Sequence, residues 1–241
     1  MHLRLFLLLT ILLTLGLAHR HHHRHHKRHT RVYRSTETRW ERRDLTYWVR
    51  NSPSSIPDLR AIRQELGEAF RLWSDVTNLT FTEALNPDDA DIVLSFERQE
   101  HGDGYPFYDD DLAHAFGPGR HHLNGKVHFN NDFNFKVGPF STQQHREFGE
   151  YDIRLVATHH IGHALGLQHN EHNEDSVMHA TYRHLDNHDA VLTNDDISAI
   201  QALYGAKHSE PPIPVPSRAR RSHDYDMDNS GDSADYAPEE D

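Results

Sequence analysis

Cysteine is absent from the 241 residues. Neither disulfides nor thiolate ligands are therefore available, and stability has to come from a packed core and bound metal. Long hydrophobic runs are scarce as well. The extended one, Leu5 to Leu17 behind Arg4, is too short to cross a bilayer; with the small residues Gly16 and Ala18 it reads as a secretory signal peptide over residues 1–18. No other run approaches membrane length, so a membrane-spanning chain is excluded and a soluble, secreted, extracellular protein is expected. Charge of a single sign is also missing. The net charge of −12 is divided between an almost purely basic stretch at 19–34 and an acidic last twenty residues, so it carries no information about partners and gives no ground for specific nucleic-acid binding.

Histidine is what the chain has in excess, 24 in all. Chance pairs four apart are expected at that density, yet one stretch has more than a pair. In Val156-Ala157-Thr158-His159-His160-Ile161-Gly162-His163-Ala164-Leu165-Gly166-Leu167-Gln168-His169, the imidazoles of His159 and His163 project from one helix face, one turn apart. Gly166 lets the chain leave the helix, and the turn brings His169 round as a third ligand. Three neutral imidazoles leave the fourth tetrahedral position open, as in catalytic zinc sites.

These residues, followed by Ser176-Val177-Met178-His179-Ala180-Thr181-Tyr182, resemble the metzincins, and the flanking sequence resembles the matrix metalloproteinase (matrixin) catalytic domain, whose methionine turn matches Met178. The family's motif is H-E-x-x-H-x-x-G-x-x-H. Here its glutamate position holds His160. In the family that glutamate takes a proton from the attacking water and hands it to the leaving amine, a role whose loss typically costs about 10²–10⁴ in rate. Histidine titrates near neutrality, but its neutral ring has one acceptor nitrogen and a different reach; as a fourth zinc ligand it would close the site.

A second constellation lies at 101–132. His101, Asp103, His114 and His128 make four ligands with no open position, the pattern of a structural zinc site, and the resemblance puts the family's structural zinc on the same four. Two zinc ions per chain are expected. Leu112 and Ala113 match the family's edge strand, along which an extended peptide lies by strand addition. Leu155 matches the residue lining the main specificity pocket, while His179-Ala180 replaces that wall's usual aromatic and proline. Asp58 and Asp91 match calcium ligands. Lys126 and Phe133, however, stand where acidic partners belong, and this argues against calcium at both sites.

The resemblance runs from Arg39 to Gly205. Leu45, Tyr47 and Val49 alternate as in a strand, and Ile62, Leu66, Phe70 and Trp73 recur at helical spacing behind Pro57-Asp58. Leu79 to Phe81 and Ile92 to Phe96 read as further strands. A final helix is capped by Thr193 and Asp196, carries an apolar stripe of Ile197, Ile200 and Leu203, and stops at Gly205. An α+β fold is expected, a mixed sheet with three helices in metzincin architecture, spanning residues 35–206. Asn78-Leu79-Thr80 is a glycosylation sequon.

Outside that domain, residues 19–34 read as a disordered His/Arg-rich segment able to bind metal or polyanions. They lack the length and the cysteine of the family's latching propeptide, so no latch is expected. Residues 207–241 read as a proline-rich linker and an acidic disordered tail, with no hemopexin-like domain. Basic processing sites end at Arg34 and Arg221.

The function expected is that of a monomeric, secreted protein of the zinc metalloendopeptidase type. Its cleft would hold an extended polypeptide, with weak or no activity because of His160. An alternative is an active endopeptidase cleaving extracellular-matrix-type proteins with His160 as base. A second alternative is a histidine-rich metal or polyanion binder.

Overall fold

The computed structural model describes residues 31–33, 39–119, 122–138, 149–182 and 191–208. Two compact units, 1–208 and 209–241, are distinguished. The second lies outside the described residues, as do the expected signal peptide and residues 19–30. Among the described residues no helix is long and apolar enough to cross a membrane.

A six-stranded mixed sheet forms the frame. In chain order its strands are β1 (Arg31–Tyr33), β2 (Asp44–Val49), β3 (Thr80–Glu83), β4 (Ile92–Glu97), β5 (Ala113–Phe116) and β6 (Lys126–Asn130). They lie in the order β1-β5-β6-β4-β2-β3, all pairs parallel except β5 with β6. A parallel two-stranded sheet, β7 (Asn134–Lys136) with β8 (Glu150–Asp152), stands apart from it. The helices are α1 (Leu59–Val76), α2 (Ile153–Ala164) and α3 (Asn194–Tyr204). This is the expected α+β architecture.

One expectation is corrected. Arg31–Tyr33, placed in the disordered segment, pairs with β5, so β5 has a neighbour on each side.

Helix α1 begins where Asp58 accepts hydrogen bonds from the N–H groups of Arg60 and Ala61, satisfying donors that no helical carbonyl can reach. Its apolar stripe of Ile62, Leu66, Phe70 and Trp73 is entirely buried. Helix α2 differs, for every residue except Arg154 is buried. A helix enclosed on all sides belongs to the core rather than the surface. It is tied to α1 by the Trp73 indole, which donates to the Thr158 carbonyl at 3.0 Å, and by an Arg154–Glu65 ion pair at 2.7 Å in which Glu65 is buried.

Helix α2 stops as expected at Gly166, which has φ +105°. The Gly166 and Leu167 N–H groups bond back to the His163 and Gly162 carbonyls, the paired closure of a Schellman motif. Two side chains distant in sequence complete the end: the Trp40 indole donates to the Ala164 carbonyl and the Tyr204 hydroxyl to that of Leu165. Helix α3 carries the expected Thr193–Asp196 capping box. Of its expected stripe Ile200 is fully buried, whereas Ile197 and Leu203 pack at the core's margin.

Candidate metal centres and cleft

Helix α2 carries His159 and His163 on one face, and the turn at Gly166 returns the chain so that His169 joins them. The three can present one nitrogen each within 4.8 Å of one another, and the Nε2 atoms of His163 and His169 are 3.1 Å apart. Backbone carbonyls orient the rings. His159 Nδ1–H donates to Val177 at 2.7 Å and His163 Nδ1–H to Leu167 at 2.9 Å, which fixes the tautomer and turns Nε2 inward, as in histidines that ligate metals. Burial, with the neighbouring imidazoles, pushes both rings well below their ordinary pKa. They are thus neutral, as ligands must be.

Gly162 allows the methionine turn to pack beneath this face. A Cβ there would sit 2.5 Å from Met178 Sδ. Asp196 holds the turn from below, accepting from the Ser176 hydroxyl and the Val177 and Met178 N–H groups. Sequence reasoning gave Asp196 only its capping role, because nothing local in the chain links it to residues twenty positions earlier.

The second group is a compact tetrahedron. Asp103 Oδ2 is 3.0, 2.9 and 2.9 Å from His101 Nε2, His114 Nε2 and His128 Nδ1. The nitrogens are 3.3, 3.1 and 3.0 Å from one another. Four atoms about 2.0–2.1 Å from a zinc ion would be about 3.3–3.4 Å apart in a regular tetrahedron, so the donor set fits such an ion with slight expansion. Burial pushes His114 down to about 3 and His128 to about 4. Burial also opposes the charge of Asp103, but the Tyr105 N–H and the surrounding imidazoles outweigh it and hold the carboxyl below its ordinary value. The His101 Nδ1–H donates to the Gln99 carbonyl, and Phe107 stacks on the His101 ring.

Asp58 and Asp91, matched to calcium ligands in sequence, are engaged otherwise. Asp58 caps α1. Asp91 pairs with the Arg42 guanidinium and accepts from the Thr46 N–H and hydroxyl.

His160 lies on α2 outside the three-histidine group and is fully buried. Its Nδ1–H donates to the Val156 carbonyl one turn earlier, and its Nε2 makes no close hydrogen bond, although the Ala113 backbone lies near enough to raise the ring's pKa against the effect of burial. Burial drives it down to about 4. The ring borders a pocket shared with His159, Leu112, Leu155, Val156 and Tyr182, to which His179 also contributes. Leu155 and His179, both matched to the specificity pocket, thus line one cavity. Ala113 is the first residue of β5. The sequon residue Asn78 is occupied as well, its side-chain oxygen accepting from the His208 N–H.

A mixed sheet, three helices, and a helix–turn–methionine-turn arrangement around converging imidazoles define the metzincin class of catalytic domain. The matrixin family profile matches residues 39–205. The chain is 36% identical over 184 residues to stromelysin-2 of Rattus norvegicus, covering 74% of this chain and 36% of that protein. It is 38% identical over 178 residues to matrix metalloproteinase-18 of Xenopus laevis (73% and 35%), and 39% identical over 181 residues to interstitial collagenase of Oryctolagus cuniculus (73% and 35%). The chain belongs to the matrixin family. It spans about a third of the length of these relatives.

Proposed function

We propose that the chain is a secreted matrixin with an impaired catalytic centre. Zinc would be held by His159, His163 and His169, a second zinc by His101, Asp103, His114 and His128, and an extended polypeptide beside Leu112, Ala113 and the Leu155 pocket. The reading takes the signal-peptide pattern of residues 1–18 as the basis for secretion, and the altered environments of Asp58 and Asp91 as the basis for little use of calcium. A zinc ion at the three-histidine site supplies Lewis-acid activation of water and of a peptide carbonyl.

What the chain must add is a proton acceptor, and the state of His160 carries the conclusion. Its Nδ1–H is committed to Val156, so Nε2 is the sole acceptor. A ring held down to about 4 is a weak base at neutral pH. Accepting a proton would turn His160 into a buried imidazolium next to the metal centre, whereas a glutamate there would be neutralised by the same proton. The unfavourable charge falls where charge should be relieved.

The test is His160→Glu assayed on unfolded casein beside wild type. Cleavage should rise by about 10²–10⁴, the range for a general base, and should be lost on metal chelation. Wild-type turnover equal to that of the variant would establish His160 as a competent base and overturn the impaired reading.

A further inference from the structure

The outer side of β5 is where a polypeptide would add as a strand, and in this structure it is taken. Along β5 the carbonyls of Leu112 and Phe116 accept from Asn130 and Gly125 on the β6 side. With a period of two, the N–H and C=O groups of Ala113 and Ala115 therefore face away from β6. On that side lies β1, in parallel register, Arg31 opposite His114, Val32 opposite Ala115 and Tyr33 opposite Phe116.

The connection favours this contact. Trp40 is anchored by its indole bond to Ala164 and lies against Gly125, whose N–H bonds the Phe116 carbonyl. Arg39 is held by the Leu203 carbonyl. The anchor thus sits beside the end of β5 at which Tyr33 pairs, with residues 34–38 between. So few residues reach about 20 Å at most, which gives an effective concentration on the order of millimolar. Backbone pairing then competes with polypeptides in solution without needing a large interface.

We propose that Arg31–Tyr33 is an intramolecular ligand of the β5 edge, which keeps extended polypeptides off this side of the cleft until it is displaced. The competition rests on the peptide-cleft reading above; the strand pairing does not. Unlike a latch on the metal, it needs no side chain that ligates.

The test uses the full chain and an Arg31→Pro/Tyr33→Pro variant, which removes the two β1 N–H groups that the parallel register turns toward the Ala113 and Ala115 carbonyls. Amide exchange is read at Ala115, whose N–H the parallel register sets against the Arg31 carbonyl, with His114, bonded toward β6, as the control for an intact sheet. Binding of a dye-labelled unfolded casein fragment is read by anisotropy.

Wild type should protect Ala115 independently of protein concentration. The variant should lose that protection while keeping it at His114. Its casein affinity should rise by about tenfold, the gain if β1 leaves the edge open a tenth of the time. Equal exchange in the two proteins overturns the inference. Protection that grows with protein concentration also overturns it, in favour of strand exchange between copies. Loss of protection without any gain in casein binding upholds the pairing but refutes the competition, and locates the failure in the peptide-cleft reading.

Discussion

Gly162→Ala tests how the methionine turn supports the first metal centre. In an ordinary helix the change stabilises by about 0.8–1 kcal/mol, because alanine has the better helix propensity. Here the added methyl would lie 2.5 Å from Met178 Sδ, 3.2 Å from Met178 Cε and 3.0 Å from a ring carbon of Trp73. Favourable contacts between heavy atoms fall at about 3.5–4.0 Å, so Met178 must retreat by about 1 Å. It cannot do so freely: Met178 and Trp73 are both buried, and Trp73 is pinned to the Thr158 carbonyl. Overpacking of this kind costs about 1–3 kcal/mol, which cancels or exceeds the propensity gain and leaves a net loss of up to about 2 kcal/mol.

The displacement also reaches the metal ligands, since the Val177 carbonyl that orients His159 precedes Met178 in the same turn. Loss of such an orienting contact lowers metal affinity by about 10–100-fold. Urea unfolding gives the first quantity and competition with a chromophoric zinc chelator the second. A variant more stable than wild type by about the propensity difference, with unchanged zinc affinity, would show that the turn does not bear on the helix as described.

The purified chain without residues 19–34 should hold two zinc ions by elemental analysis, and a reproducible value of one or less would refute one donor set. Calcium should leave the melting temperature nearly unchanged, because Asp58 caps α1 and Asp91 pairs with Arg42; a large calcium-dependent rise would contradict this. The metal-free protein should lose stability as pH falls from about 6.5 toward 4. His114 and His128, lowered to about 3 and about 4, stay neutral when folded while the unfolded chain takes up protons. With more protons on the unfolded state the slope is positive, up to about 1.4 kcal/mol per pH unit for each ring, and a flat urea midpoint across that window would refute it.

Much of the fold was legible because its signals are local. Pro57-Asp58 ahead of an apolar stripe, the Thr193–Asp196 box and Gly166 each solve a hydrogen-bonding or dihedral problem within a few residues, and each acts where expected. One candidate ligand set was legible for a related reason. Helix period and turn bring His159, His163 and His169 together, whereas the set of His101, Asp103, His114 and His128 depended on resemblance, since it is assembled from a loop and two strands. Glu65–Arg154 and the bonds from Trp40 and Tyr204 to the end of α2 have no local signature, as their partners lie 39 to 124 residues apart.

By itself, then, the sequence determined which side chains could ligate metal, where α1 begins, where α2 ends, both ends of α3, and that a histidine stands at the position of the family's base. Those properties follow from residue chemistry and short-range backbone geometry. Tertiary structure decided what the residues became. Burial made His160 a weak base in spite of its bond to Val156, and the Arg42 guanidinium pairs with Asp91. Strand pairing turned three residues of a basic, low-complexity segment into β1. Each outcome depends on desolvation or on a partner far along the chain, and no sequence window contains either.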